Sequence, residues 1–496
     1  MKRLLVLVLL LGTCGFASPG GLADLKPLPP VMVCAEVTGL RLPGVTLTSA
    51  TVAGATCEVR GTIAPADTIV VRLPLGGWTQ RYVQTGCGGL CGTATINYGQ
   101  AAGCPVVEDG SVASATTDMG HQGQNDGSWA AGNPQAQIDF AYRGVHETAV
   151  TAKRIITAFY GRAPRYSYFT GCSDGGREAL MEAQRFPDDF DGIAAGAPAT
   201  NMAVQNTFHH AWNVLANRDS SGRAILLAAK LPLIHNAVLA ACGPVLDDPR
   251  QCHFDPFSLV CANPATCLTA AEATVVRKLH DGATDARGRR LEVPVGHEWG
   301  SELEWTLFVP ATPTAPVASE SFALSYLRYL ADPNHARPDY QLSDLEFTVA
   351  SFWRTVLPSS AYMAAMDPDL SAFRRSGGKL LLWHGWNDQH IAPRSTLAYF
   401  SELRDPARYA RLYMFPGVAH CGGGQPFDVL TPVMAWVETG RTPGSINGVR
   451  AMSPAAARGD YHWVGEGLYS HGYQTWPRAV GDKLVTGPGY PGGHAR

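Results

Sequence analysis

The chain has 496 residues, 46% of them hydrophobic and 16% charged, with a formal net charge of −3. That length exceeds what one hydrophobic core usually sustains, so two domains, or one large domain with an insertion, are expected. The lack of any basic tract argues against a nucleic-acid partner, and 53 Gly with 35 Pro and no strict period imply loops rather than a fibrous chain.

The chain begins MKRLLVLVLLLGTCGFASPG, with two positive charges, an apolar run from Leu4 to Gly12 and then small residues. This pattern predicts a secretory signal over residues 1–17, with Gly15 and Ala17 as the small residues before the cut. The apolar run is far short of the ~20 residues a spanning helix needs. Thr13 ahead of Cys14 disfavours a lipoprotein site. A secreted or periplasmic monomer with no membrane association after cleavage is therefore expected. The chain holds 12 cysteines, and an odd number remains once Cys14 is lost. In an oxidising compartment these are expected to form disulfides rather than a zinc site, with one thiol left over.

Residues 34–75 alternate short apolar runs with turns, including TIVVRLP, and predict β structure. RYVQTGCGGLCG reads as a strand end opening into a glycine-rich loop, and SVASATTDMGH as a second strand ending near Asp118 and His121. ETAVTAKRIITAFYG has helical spacing, with Gly161 just past its end. SYFTG is the next strand, Gly175 to Phe186 the next helix, and FDGIAAGAP another strand. The pattern resumes at GGKLLLWHGWND and ARLYMFPGVAHC, followed by the helix DVLTPVMAWVETG. Strand and helix in alternation predict an α/β fold with a mostly parallel sheet. Residues 18–199 and 371–480 would supply that sheet. Residues 200–370, with clustered cysteines and many aromatics, would be an inserted lid domain. The Gly-rich tail 481–496 is expected at the surface or poorly ordered.

GCSDG, residues 171–175, places Ser173 in a G-x-S-x-G motif between a strand and a helix, the setting of a nucleophile elbow. A serine hydroxyl needs a general base, and in this topology the acid and the histidine follow in chain order on later loops. Asp388 and His420 occupy those places. Asp405 is the rival acid, and His384 and His390 are rival bases set in the wrong part of their strand–loop unit. The oxyanion donors would be the backbone N–H of Asp174 and one from TGCGGLCG: Gly88, with Gly86 and Gly89 as alternatives. That loop lacks the Lys-Ser/Thr ending of a phosphate loop. If Ser173 and His420 meet within about 2.6–3.2 Å, their neighbours Cys172 and Cys421 are drawn to the ~4.4–6.8 Å Cα spacing of a disulfide. Such a bridge closes a loop of about 250 residues, worth roughly 5 kcal/mol on chain-entropy arithmetic. A cysteine protease is disfavoured, because neither cysteine sits where a base and an oxyanion hole converge.

YFTGCSDGGREALMEAQRFPDDFDGIAAGAPA, LLWHGWND and FPGVAHCGGG together resemble the nucleophile, acid and histidine blocks of the tannase and feruloyl esterase family. MGHQG and FYGRAPRYSYF share that resemblance, which runs from Cys34 to about Gly440. The family comprises secreted α/β-hydrolases and includes hydrolases of terephthalate half-esters. The resemblance implies a Ser173–His420–Asp388 triad, a lid over the site, and no organic cofactor. It also implies the pairs Cys34–Cys57, Cys242–Cys252 and Cys261–Cys267, and leaves Cys87, Cys91 and Cys104 unassigned. Phe322, Ser325 and Tyr326 would contact substrate, with Trp299, Trp305 and Trp353 holding the lid together. Two departures stand out. The family's Asp-rich calcium loop is shortened here to CGPVLDDPRQC, whose Asp247 and Asp248 offer too few oxygens, so either no calcium or a site made otherwise is expected there, and no metal ligand is assigned. No arginine precedes Phe322 to grip a substrate carboxylate; Arg328 follows it. The expected substrate is an ester of a hydroxycinnamic or similar phenolic acid from plant cell walls, with gallate and terephthalate half-esters as alternatives. A binding protein on an inactive scaffold is the rival from another class.

Overall fold

The computed structural model describes residues 21–263, 265–291, 296–459, 478–480 and 483–485. The expected signal 1–17 and nearly all of the tail 481–496 lie outside the described residues.

Nine strands form one sheet: β1 (Val45–Ala53), β2 (Thr56–Ile63), β3 (Asp67–Pro74), β4 (Arg81–Thr85), β5 (Ala113–Thr117), β6 (Tyr166–Cys172), β7 (Gly192–Gly196), β8 (Lys379–Gly385) and β9 (Ala410–Phe415). Their order is β1-β2-β3-β5-β4-β6-β7-β8-β9. The first three strands and β5 pair antiparallel, and every pairing from β5 through β4 to β9 is parallel. The burial pattern follows from this. β1, at the edge, alternates without any fully buried residue, whereas β4, β5 and β7 are buried throughout. Parallel strands are covered on both faces, so their sequences carry mostly apolar or small residues, and the buried polar exceptions Arg81 and Gln84 on β4 are hydrogen-bonded.

Helix α1 (Gly144–Tyr160) turns its Val145, Ala149, Ala152, Ile156 and Phe159 stripe inward and ends at Gly161, whose φ of 68° suits a left-handed stop. Helix α2 (Asp174–Arg185) follows β6 directly. The stretch between β7 and β8 divides into two parts. Helices α3 (Leu231–Cys242) and α4 (Ala270–Asp281) enclose a separate apolar cluster that includes Ile234, Val276, Leu279, Trp299, Trp305 and Phe308. Helices α5 (Ala318–Tyr329) and α6 (Val349–Met363) send Tyr326, Leu327, Phe352 and Val356 into the core of the sheet domain instead. Trp299 and Trp305 thus pack within the stretch, while Trp353 lies against the sheet's core. After β8 and β9 come α7 (Pro393–Glu402) and α8 (Leu430–Thr439). A buried ion pair ties the ends together: Arg81 on β4 forks onto Glu438 of α8, which also receives the Ala23 amide and the Tyr168 hydroxyl.

Candidate active site

Ser173 sits at the turn from β6 to α2 with φ 65° and ψ −121°, a conformation that costs a non-glycine residue free energy and lifts the side chain clear of the sheet. Small residues permit the crossing. A Cβ on Gly171 would lie 2.5 Å from the Gly175 carbonyl oxygen, and one on Gly175 would lie 2.8 Å from the Cys87 carbonyl oxygen. The Ser173 amide donates to the Gly196 carbonyl, which fixes the turn against the end of β7.

The loops after β8 and β9 bring Asp388 and His420 to this turn. The Ser173 hydroxyl lies 2.9 Å from His420 Nε2, and His420 Nδ1 lies 2.8 Å from Asp388 Oδ2. Asp388 is fully buried and receives four hydrogen bonds. Its Oδ1 accepts the His390 and Ile391 amides, and its Oδ2 faces both His420 and His384 Nε2. Burial pushes this carboxyl's pKa upward, but His420 and the His384 hydrogen bond outweigh it and hold the group well below the usual carboxylate range. Asp388 therefore stays ionised beside the imidazole.

The rival residues are placed elsewhere. Asp405 is exposed and pairs with Arg374. His384 is inside β8, held between Asp388 and the Thr396 hydroxyl, away from Ser173. As a rival base His384 is displaced; its role is to support Asp388, a contact that the four-residue spacing between them in the sequence allows. His390 stands with its ring 4.6 Å from that of His420 and 4.8 Å from Phe322. Burial, reinforced by His420, pushes its pKa down to about 3, so it remains neutral.

The Cys172–Cys421 bridge is present, with Cα atoms 5.8 Å apart. Cys34–Cys57, Cys242–Cys252 and Cys261–Cys267 are paired as well. Of the three unassigned cysteines, Cys87 pairs with Cys91, and Cys104 is a buried free thiol. Asp174 is the first residue of α2, so its amide belongs to those a helix leaves without an internal acceptor.

A cavity of about 500 Å³ opens onto Ser173 and His420, with Gly88, Gly89 and Phe322 in its wall. A smaller cavity beside it is bounded by Gln124, Asn125, Met202, Phe322, Ser325 and His390. Phe322 thus reaches both spaces. Ser325 borders the smaller one while its hydroxyl oxygen accepts the Gly127 amide. Tyr326 departs from expectation: it is fully buried, donates to Ser359 Oγ and borders neither cavity. In the shortened loop, Arg250 forks onto Asp248 through two nitrogens at 2.7 Å. A guanidinium already neutralises that carboxylate, so the donor set does not fit a calcium ion.

The family model for tannase and feruloyl esterase matches residues 50–477. The chain belongs to this family. It is 31% identical to a probable feruloyl esterase of Arthroderma benhamiae, over 78% of this chain and 77% of the relative. It is 29% identical to the mono(2-hydroxyethyl) terephthalate hydrolase of Piscinibacter sakaiensis, over 79% and 77% respectively. Among solved structures, feruloyl esterase B from Aspergillus oryzae superposes with a TM-score of 0.71 at 24% identity, covering 84% of this chain and 94% of the other. The α/β-hydrolase fold read from the sequence is thus borne out, and this member of the tannase and feruloyl esterase family is a carboxylic ester hydrolase. Among the described residues no helix is long and apolar enough to cross a membrane.

Proposed function

We propose that this chain is an exported serine carboxylesterase for esters of hydroxycinnamic or related phenolic acids, acting through Ser173, His420 and Asp388. The observation that carries this reading is the unbroken line from the Ser173 hydroxyl through His420 to Asp388, at 2.9 and 2.8 Å. His420 would take the hydroxyl proton as Ser173 attacks the ester carbonyl, and Asp388 would stabilise the imidazolium. The Gly88 and Asp174 amides would hold the tetrahedral oxyanion. His420 would then protonate the leaving alcohol and activate the water that frees the acid. No metal or organic cofactor enters any step.

The lack of a cation in the wall of the site supports an acyl group without a free carboxylate. Among the described residues bordering the two cavities there is no Lys or Arg, whereas Gln124, Asn125 and Gln389 offer amides. A free carboxylate on the acyl ring would lose its water shell without gaining a cation, which favours ferulate- or gallate-type esters over terephthalate half-esters. Initial rates on methyl ferulate, methyl gallate and a terephthalate half-ester test this, with the half-ester expected slowest. Ser173→Ala should lower kcat on the order of 10⁴- to 10⁶-fold; an unchanged rate rejects the mechanism.

A further inference from the structure

Gly88 is useful as an oxyanion donor only if its N–H points into the cavity, and the backbone before it is held from several sides. In a trans peptide the C=O and the following N–H point in opposite directions. The Cys87 carbonyl accepts the Gly175 amide at 2.8 Å, on the side of α2. The Gly88 N–H of that same peptide is thereby turned the other way, toward the cavity that Gly88 borders. One peptide earlier, the Cys87 N–H donates to Glu178 Oε1 at 3.0 Å. One residue later, the Gly88 carbonyl accepts the Cys91 amide at 3.1 Å, inside the loop that the Cys87–Cys91 bridge closes.

Two side chains reach this backbone: Gln124 Nε2 donates to the Gly88 carbonyl at 3.3 Å from the exposed side, and Glu178 holds the Cys87 amide from the buried side. Glu178 lies one turn along α2 from Asp174, is 1% exposed, and rests against the sulfurs of Cys87 and Cys91. Asp174 beside it is forked by Arg177, with nitrogens at 2.6 and 3.1 Å. Burying a carboxyl is costly unless it makes hydrogen bonds, and its Oε1 is given to the oxyanion loop. Burial, and then the Asp174 charge, push Glu178 up to about 8, so near neutral pH it is a neutral acid whose Oε1 still accepts.

We propose that Glu178 is a positioning residue for ester hydrolysis: by holding the Cys87 amide it sets the peptide that aims the Gly88 N–H at the developing oxyanion. This rests on the reading of Gly88 as an oxyanion donor. Glu178 touches no reacting atom, so its effect passes entirely through the loop.

The test compares Glu178→Gln, which keeps an acceptor oxygen at the same reach, with Glu178→Met, which has none. The Gln enzyme should keep kcat within about threefold, while Met should lose about 100-fold, the scale of a ~1 Å misplacement. KM should stay within about twofold, because the lost interaction belongs to the transition state. The affinity of a boronic-acid inhibitor should fall in parallel with kcat, and that of the product acid should not. A Met enzyme with the parent kcat overturns the proposal. So does a Gln enzyme as slow as Met, or a loss of product affinity equal to the loss in kcat. If Met fails to fold, Glu178→Asp replaces it; its shorter arm should still give a kcat well below that of Gln, and equality of the two rejects the idea. Ser173→Ala run alongside separates the two readings. An inactive Ser173→Ala beside a fully active Glu178→Met removes only this proposal, whereas an active Ser173→Ala removes the catalytic assignment itself.

Discussion

Asp388 receives hydrogen bonds from two amides and faces two imidazoles, a degree of satisfaction that a mere turn aspartate does not need. Asp388→Asn would keep much of the packing but favour the wrong His420 tautomer, and kcat should fall about 10⁴-fold with little change in fold. The pH dependence of stability follows from the direction of the shift. The folded carboxyl titrates below the unfolded one, so its contribution is complete above the unfolded value, about 3.9, and is lost as pH falls through the folded value. Glu178 acts in the opposite sense. Its pKa is raised to about 8, so the folded state binds more protons than the unfolded state between that value and the unfolded value of about 4.3. Stability should therefore fall as pH rises across this window, and Glu178→Gln should flatten the slope in urea melts at several pH values. The residues of the proton-transfer line are legible in sequence because each follows a parallel strand, Ser173 directly after β6 and Asp388 and His420 in the loops after β8 and β9. Tyr326 misled because it shares a helical face with Phe322 at i+4. A shared face does not mean shared access: Phe322 borders both cavities and Tyr326 borders neither.

At the scale of elements, the parallel strands were readable from unbroken apolar or small runs such as LLLW, and their ends located the loops that carry the site. The stretch between β7 and β8 was less transparent. Its aromatics look alike in sequence, yet Phe254, Trp299, Trp305 and Phe308 form their own cluster, while Phe208, Tyr326, Phe352 and Tyr362 join the sheet's core. Composition reports that a residue will be buried, not against which partner. The cysteines in and after the glycine-rich loop pose a similar problem, since Cys87, Cys91 and Cys104 are near one another in the chain and only the folded path separates the Cys87–Cys91 pair from the free Cys104. The Cys172–Cys421 bridge locks the loop after β9 to the turn after β6. Replacing both cysteines by serine should lower kcat by up to about 100-fold. It should also lower the melting temperature, as expected when a long closed loop is released. Kinetics and calorimetry on the double variant check both effects.

For the whole molecule, the Arg81–Glu438 pair joins the middle of the sheet, the first described residues and the last long helix, with the Glu438 side chain fully buried. Removing one partner of such a pair strands a charge. Arg81→Met should therefore cost about 3–5 kcal/mol in chemical denaturation. The double change Arg81→Met with Glu438→Leu should cost far less, since the unpaired carboxylate is gone.

The position of the Cys172–Cys421 link also has a biochemical consequence. Among the described residues it is the one disulfide that spans the entire stretch between β7 and β8. A protease cutting anywhere in that stretch would leave the serine on one fragment and its acid and base on the other, still covalently joined. The cleaved esterase should migrate as a single species on a denaturing gel until a reductant is added, and only then separate into two.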